Sequence, residues 1–318
     1  MEGTMELNDL LFEMISSNAM DLHLVAGRQP YLRIDGVLQG HDGEAPVLQR
    51  ETVLELAEEF FGFELEESGE PFPLAYTNSI KRHGRRFRGT VLINDMSASL
   101  IVRLVLKDVP PLEKLGVPPE FMKILELSRG MVVIAGASGS GKTTTLYSLA
   151  DEINRRHQVC ICILEDGDGI ELTPAKALVH QVSYHPLDGA AEAYHHAMLT
   201  DADVIVGFIE DGHDLMAAIK CVETGHLVIA NYHAATVEEA LERLADSAMA
   251  FTNGEDRLAD ALAVCVSQKL APREGGGRRA VLEVLWCDED AKAVIRGEEP
   301  LEKVAELLKR KGNLAREE

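Results

Sequence analysis

The sequence predicts an α/β protein of two domains. A small mixed α/β unit (residues 1–107) precedes a larger domain on a mainly parallel sheet (120–318), with 108–119 as the linker. Three observations carry this reading. Beyond residue 130, apolar segments of strand length alternate with helix-patterned ones, the order of a parallel sheet covered on both faces. The run Gly136-Ala-Ser-Gly-Ser-Gly141-Lys142-Thr143 stands between the first such strand and its helix. Val109-Pro110-Pro111 and Val117-Pro118-Pro119 bracket a stretch rich in turn formers. At 318 residues the chain has room for two domains of ordinary size.

In the first domain, Leu7, Leu10, Leu11, Met14 and Ile15 fit one face of a helix. Short strands are expected at Leu22 to Val25 and Tyr31 to Ile34, the second closing on an Asp35-Gly36 turn. A second helix over about 51–61 follows, then two longer strands, about 86–94 and 97–105, joined by a tight polar turn. In the second domain the strands are Met131–Ala135, Val159–Leu164, Val204–Phe208 and Leu227–Asn231, each followed by a helix. Thr236 and Glu239 have capping-box spacing ahead of the helix carrying Leu241 and Leu244. Leu301, Val304, Leu307 and Leu308 share one face of a helical tail, and no internal repeat is visible.

The glycine-rich run carries the chemistry. Glycines let backbone N–H groups turn toward a phosphate chain, and the helix N-terminus that follows adds positive potential. Gly136, Ser138, Gly139, Ser140 and Gly141 are the expected cradle, with Lys142 reaching the β/γ-phosphates and Thr143, followed by Thr144, opening the helix. The Thr143 hydroxyl is the expected holder of Mg²⁺. Leu146, Leu149, Ala150 and Ile153 give that helix an apolar face. The expected ligands are therefore ATP and Mg²⁺. Hydrolysis also needs an oriented water, and Glu165 with Asp166, ending the strand beside the loop, are the residues placed for it. Two acids that merely end a strand in a turn are the plain alternative.

Composition narrows the class further. A net charge of −22 argues against broad nucleic-acid binding, so no nucleic-acid partner is expected. One basic cluster, Lys81, Arg82, Arg85, Arg86 and Arg88, reads either as a solvated hairpin or as a phosphate or subunit contact. The five cysteines form no C-x-x-C pair and sit in apolar surroundings, which favours buried thiols in a reducing compartment. His195 and His196 are adjacent rather than spaced i, i+4, which does not suit a metal pair. The N-terminus carries no signal-peptide pattern, and no apolar run approaches membrane-spanning length. The expected location is cytoplasmic, peripheral to any membrane complex.

At this point the chain resembles the motor ATPases of type II/IV secretion systems and type IV pili, and within them the twitching-motility retraction ATPases. The likeness runs from Asp21-Leu22-His23-Leu24 and Arg33-Ile-Asp35-Gly36 to Val266-Ser-Gln268-Lys-Leu270 and Gly275-Gly-Gly-Arg278. Glu223-Thr-Gly-His226-Leu and the nearby His233 look like the family's histidine box, which implies a phosphate-sensing role for His233. Arg88 and Arg103, on the paired long strands, match positions where the family presents arginines to nucleotide. The resemblance implies a PAS-like first domain and a RecA-like P-loop domain. It further implies a hexameric ring with ATP between the first domain, the P-loop domain and a neighbouring subunit, working on a pilus or secretion platform at the inner membrane.

The chain departs from that pattern at several places. The family's acidic box ends in Pro-x-Glu; here Glu165-Asp166 continue as Gly167-Asp168-Gly169. Aligned without a gap, Phe208 stands where the third strand should bring the metal-side acid, and a local deletion would bring Glu210 or Asp211 there instead. Met96, His195 and Leu199 occupy positions where the family usually carries arginines. A cation on a phosphoryl transition state is worth about 10³–10⁵ in rate, whereas ground-state binding rests on loop amides, Lys142 and Mg²⁺. The expectation is an ATPase motor that binds nucleotide normally and hydrolyses it slowly. The alternative is a weakly or non-hydrolysing regulatory paralogue that completes a homo-hexameric or mixed ring. Ala291 to Arg296 is a faint version of a retraction-associated helix motif, with Gly297 replacing its closing acid.

Overall fold

Two sheets organise the chain, one antiparallel and one mainly parallel. The computed structural model describes residues 6–40, 45–63, 65, 75–94, 96–105, 108–165, 169–184, 189–273 and 277–310. The chain divides into two units, Met1–Lys107 with Asp168–Ile170, and Asp108–Gly167 with Glu171–Glu318.

The first unit contains α1 (Leu7–Ser16), β1 (Asp21–Val25), β2 (Tyr31–Ile34), β3 (Val37–Gly40), α2 (Arg50–Phe61), β4 (Ala75–Arg82), β5 (Arg85–Ile93) and β6 (Ala98–Val105). The strands lie in the order β3-β2-β1-β6-β5-β4. Successive strand residues point to opposite faces, so Leu22, Leu24, Phe87, Val91, Leu100 and Val102 share one face. That face buries against Leu7, Leu11 and Met14 of α1 and Val53, Leu56 and Phe60 of α2. At Gly89 the sheet and α2 approach so closely that a Cβ would run into the Phe60 ring. Asp35-Gly36 and His83-Gly84 all take positive φ, which matches the twist of the two-residue turns closing β2–β3 and β4–β5. The basic cluster therefore belongs to the β4–β5 hairpin. β3 and β4 lack a legible apolar alternation; Val37 and Leu38 are exposed on an edge strand.

The second unit begins with two short helices, α3 (Leu112–Leu115) and α4 (Pro119–Met122), and a 3-10 turn, Lys123–Glu126. Leu112 is buried and the Ser148 hydroxyl donates to the Pro110 carbonyl at 2.7 Å, so this stretch packs as part of the second unit. Then follow β7 (Gly130–Ala135), α5 (Lys142–Arg156), β8 (Cys160–Glu165), β9 (Leu178–Ser183), α6 (Ala190–Ala197), β10 (Val204–Phe208), α7 (Gly212–Glu223), β11 (Leu227–Tyr232) and α8 (Val237–Met249). α9 (Gly254–Ala261), β12 (Leu262–Pro272), β13 (Arg278–Trp286), α10 (Glu289–Ile295) and α11 (Lys303–Arg310) complete it. The sheet order is β13-β12-β7-β11-β10-β8-β9, parallel throughout except for β13, which returns antiparallel beside β12.

Helices cover both faces of this sheet. Val133, Ala135, Ile205, Val228, Ala230 and Tyr232 point into one core with α6, α7, α8 and α9. The intervening strand residues face the other way, where α5 packs on β7 and β11. Thr236 caps α8 by accepting from Glu239 N at 3.1 Å, and the reciprocal bond runs from Ala235 N to Glu239 Oε2 at 2.7 Å. Val304, Leu307 and Leu308 are the buried face of α11, while Leu301 precedes it. All five cysteines are free thiols, and burial pushes the Cys221 thiol up to about 12. Among the described residues no helix is long and apolar enough to cross a membrane.

Candidate nucleotide-binding site

β7 is buried from end to end and delivers the chain to Gly136, whose N–H donates to the Tyr232 carbonyl of β11 at 3.3 Å. The turn that follows calls for glycine at two points. A Cβ at Gly136 would meet the Ser140 hydroxyl and lie 2.6 Å from the Gln268 carbonyl. Gly141, the residue before α5, has φ +85°, and a Cβ there would lie 3.0 Å from Gln268 Nε2. Only glycine satisfies both demands at low cost.

Lys142 folds back over this turn. Its ammonium donates to the carbonyls of Gly136 at 2.6 Å and Ala137 at 2.9 Å, and burial pushes its pKa down. The Ser140 hydroxyl is buried with no hydrogen-bond partner among the described residues. Ser138 and Gly139 are exposed at the tip, Thr143 is exposed and Thr144 half-buried in the first turn of α5. A buried ammonium held by carbonyls, a buried hydroxyl unmatched among the described residues and a helix N-terminus together fit phosphate oxygens. The Thr143 hydroxyl and the exposed Glu210 carboxylate are oxygen donors of the kind Mg²⁺ takes.

Gln268 on β12 is the residue that shapes the turn. Its amide nitrogen donates to the Ser140 carbonyl at 2.8 Å, and its amide oxygen accepts from the Thr145 hydroxyl at 2.8 Å. The side chain is buried, so both bonds form away from water and tie the loop to α5. The sequence held no signal for this beyond the place of Gln268 in the resemblance, because its partners are over a hundred residues earlier in the chain.

The C-terminal edge of the sheet supplies the other groups. Glu165 ends β8 and is buried; its Oε1 accepts from Tyr147 of α5 at 2.6 Å and Gln181 of β9 at 2.7 Å. Two donors on one oxygen hold the carboxylate in a defined orientation on the α5 face. Asp166 lies outside the described residues. β10 ends in half-buried Phe208. Beyond it, Glu210 is exposed and its carboxylate bonds to no described residue, whereas the Asp211 carboxylate caps α7 by accepting from the His213 and Asp214 amides at 2.8 and 3.0 Å. Asp214 in turn accepts from the Glu210 N–H at 3.1 Å, and burial pushes its carboxyl pKa up.

The two histidines sit differently. His233 is exposed and directly follows Tyr232, the residue bonded to the start of the loop; its own carbonyl accepts from Arg243 at 2.7 Å. His226 is half-buried with Nδ1 2.8 Å from the Cys221 carbonyl and 3.0 Å from the Thr224 hydroxyl, an arrangement that closes the C-terminus of α7.

The arginine positions belong to the first unit. Arg88 and Arg103 are opposite one another across β5 and β6. Arg103 Nε donates to the buried Asp21 carboxylate at 2.7 Å, and Arg33 stands 3.7 Å from the same group. Met96, His195 and Leu199, where the resemblance led us to expect arginines, are all exposed.

Residues 79–318 match the family described as Type II/IV secretion system protein. The type IV pilus retractation ATPase PilT of Pseudomonas aeruginosa is 30% identical over 286 residues, covering 88% of this chain and 82% of that protein. The type IV pilus ATPase PilU of the same organism is 29% identical, covering 96% of this chain and 81% of that one. Among solved structures, the pilus retraction motor PilT with bound ADP superposes with a TM-score of 0.78 at 26% identity, covering 98% of this chain and 95% of that one.

Proposed function

Because this chain belongs to the type II/IV secretion system protein family, we propose that it is a nucleotide-driven motor ATPase of the pilus-retraction type. It binds ATP with Mg²⁺, assembles into a hexameric ring and couples turnover to domain movement against a pilus or secretion platform at the cytoplasmic side of the membrane. The observation that carries this reading is the loop after β7, where Lys142 and Ser140 gather beside Gly136, which has no room for a Cβ, and Gly141 at positive φ.

In this reading the loop amides and Lys142 bind the phosphates, and the Thr143 hydroxyl and Glu210 hold the metal. Mg²⁺, when bound, neutralises charge on the terminal phosphates. Glu165, steered by Tyr147 and Gln181, orients a water and accepts its proton, with Asp166 beside it. His233 senses the phosphate from the end of β11.

One observation favours a second reading, a subunit that binds nucleotide but hydrolyses it weakly. Phe208 puts an aromatic ring at the strand end where the family resemblance leads us to expect an acid. Phosphate release by the purified chain separates the two. The motor reading expects steady turnover, cut at least about 10²-fold by Glu165→Gln and abolished by Lys142→Ala. Ring assembly with ATP and no phosphate release above the Lys142→Ala background would favour the second reading.

A further inference from the structure

Asn231, near the end of β11, is 3% exposed, and among the described residues neither its amide oxygen nor its amide nitrogen has a hydrogen-bond partner. A buried carboxamide that satisfies neither end is rare, because it gives up its hydrogen bonds to water for nothing in return. A leucine has nearly the same shape and none of that cost. Such a group is retained for something that is not always present.

The position says what that is. Val228, Ala230 and Tyr232 point to the α7–α8 side of the sheet, so Asn231 points to the opposite side, where α5 packs. In the strand register Asn231 lies between Ile134 of β7, two residues before Gly136, and Phe208 of β10. Carrying the β8–β10 pairing of Ile163 with Val206 two residues further brings Glu165 into the same row. The α5 face of the sheet end thus reads Glu165, Phe208, Asn231 and then the loop strand. Two polar groups flank an aromatic ring that cannot hold a phosphate, a water or a metal.

We propose that the Asn231 carboxamide hydrogen-bonds the terminal phosphate of a bound nucleoside triphosphate, supplying from β11 a polar contact where Phe208 supplies none on β10. The inference rests on the nucleotide-site reading given above. The amide nitrogen donates to a phosphate oxygen, and the amide oxygen accepts from a water beside it. A diphosphate lacks the group that Asn231 contacts, so this residue distinguishes the two nucleotides while Lys142 and the loop amides bind both.

Calorimetry on the full chain with Mg²⁺ tests this, using ADP and a non-hydrolysable ATP analogue as probes. Asn231→Leu is expected to bind ADP within about 2-fold of wild type and the analogue about 10-fold or more weakly, as for the loss of a hydrogen bond to a charged group. Its ligand-free melting temperature is expected to rise by roughly 2–4 °C, since an unmatched amide has been removed. Asn231→Thr, which keeps a donor, is expected to recover part of the discrimination. Unchanged analogue affinity in Asn231→Leu would overturn the proposal. So would equal weakening of both nucleotides with a lowered melting temperature, which would mark a packing role. If wild type and Lys142→Ala alike bind neither probe, the nucleotide-site reading itself fails and this inference goes with it.

Discussion

The loop after β7 and the end of β10 lie two strands apart in one sheet, and they have been treated differently. The loop keeps the features that gripping a phosphate requires: Gly136 where no Cβ fits, Gly141 at positive φ, Lys142 over the loop carbonyls, and Gln268 holding the turn. The end of β10 has an aromatic ring at the strand terminus, and its acids lie beyond it in the turn that starts α7. Binding depends on groups already formed before nucleotide arrives. Hydrolysis depends on charge placed where the transition state develops it. The two can therefore diverge within one site, and the contrast between these strand ends is where that divergence can be measured.

The largest expected gain in turnover comes from reversing the difference. Phe208→Glu restores an acid to the end of β10 and is expected to raise phosphate release about 10-fold or more while leaving ADP affinity near that of wild type. An unchanged rate in Phe208→Glu, together with a collapse in Glu210→Gln, would show instead that Glu210 supplies the acid from its place in the turn.

On the loop side the expected effect is on stability. Gln268→Leu removes two buried hydrogen bonds and leaves the Thr145 hydroxyl and Ser140 carbonyl unmatched. The expected loss is roughly 2–4 kcal/mol of unfolding free energy, read by urea titration, with weaker binding of ADP. Lost stability with unchanged ADP affinity would mean the loop keeps its shape without this brace.

The smallest effect concerns Asp214, whose carboxylate accepts the Glu210 N–H. Burial raises its pKa, so the folded chain holds this proton more tightly than the unfolded chain does. Stability from this group is therefore fully present below the unfolded pKa and is lost as pH rises through the folded one. Asp214→Asn keeps an acceptor without the charge. Its melting temperature is expected to exceed that of wild type at about pH 7, with the difference closing toward about pH 4. A pH-independent difference would assign the effect to packing.

Much of the fold is legible in the sequence. Helices α1, α2 and α5 bury faces whose residues recur at helical spacing, and β7, β10 and β11 are continuous apolar runs. β3, β4 and β9 escaped notice because edge strands bury too little to impose a pattern; Leu178 and Val182 of β9 are exposed. The capping role of Asp211 and the closing role of His226 were likewise invisible, since both depend on where a helix begins or ends in space.

The sequence alone determined the order of strands and helices, the phosphate-binding loop and the family resemblance, because each is written in neighbouring residues whose backbone and side-chain preferences act locally. Only the tertiary structure decided what surrounds that loop. Gln268 reaches Thr145 from 123 residues away, Tyr147 and Gln181 converge on Glu165 from a helix and a strand, and Asn231 is left buried without a partner among the described residues. Those relations arise from strand order and register, which place distant residues side by side and strip them of water, and the hydrogen bonds themselves are not written in any local pattern.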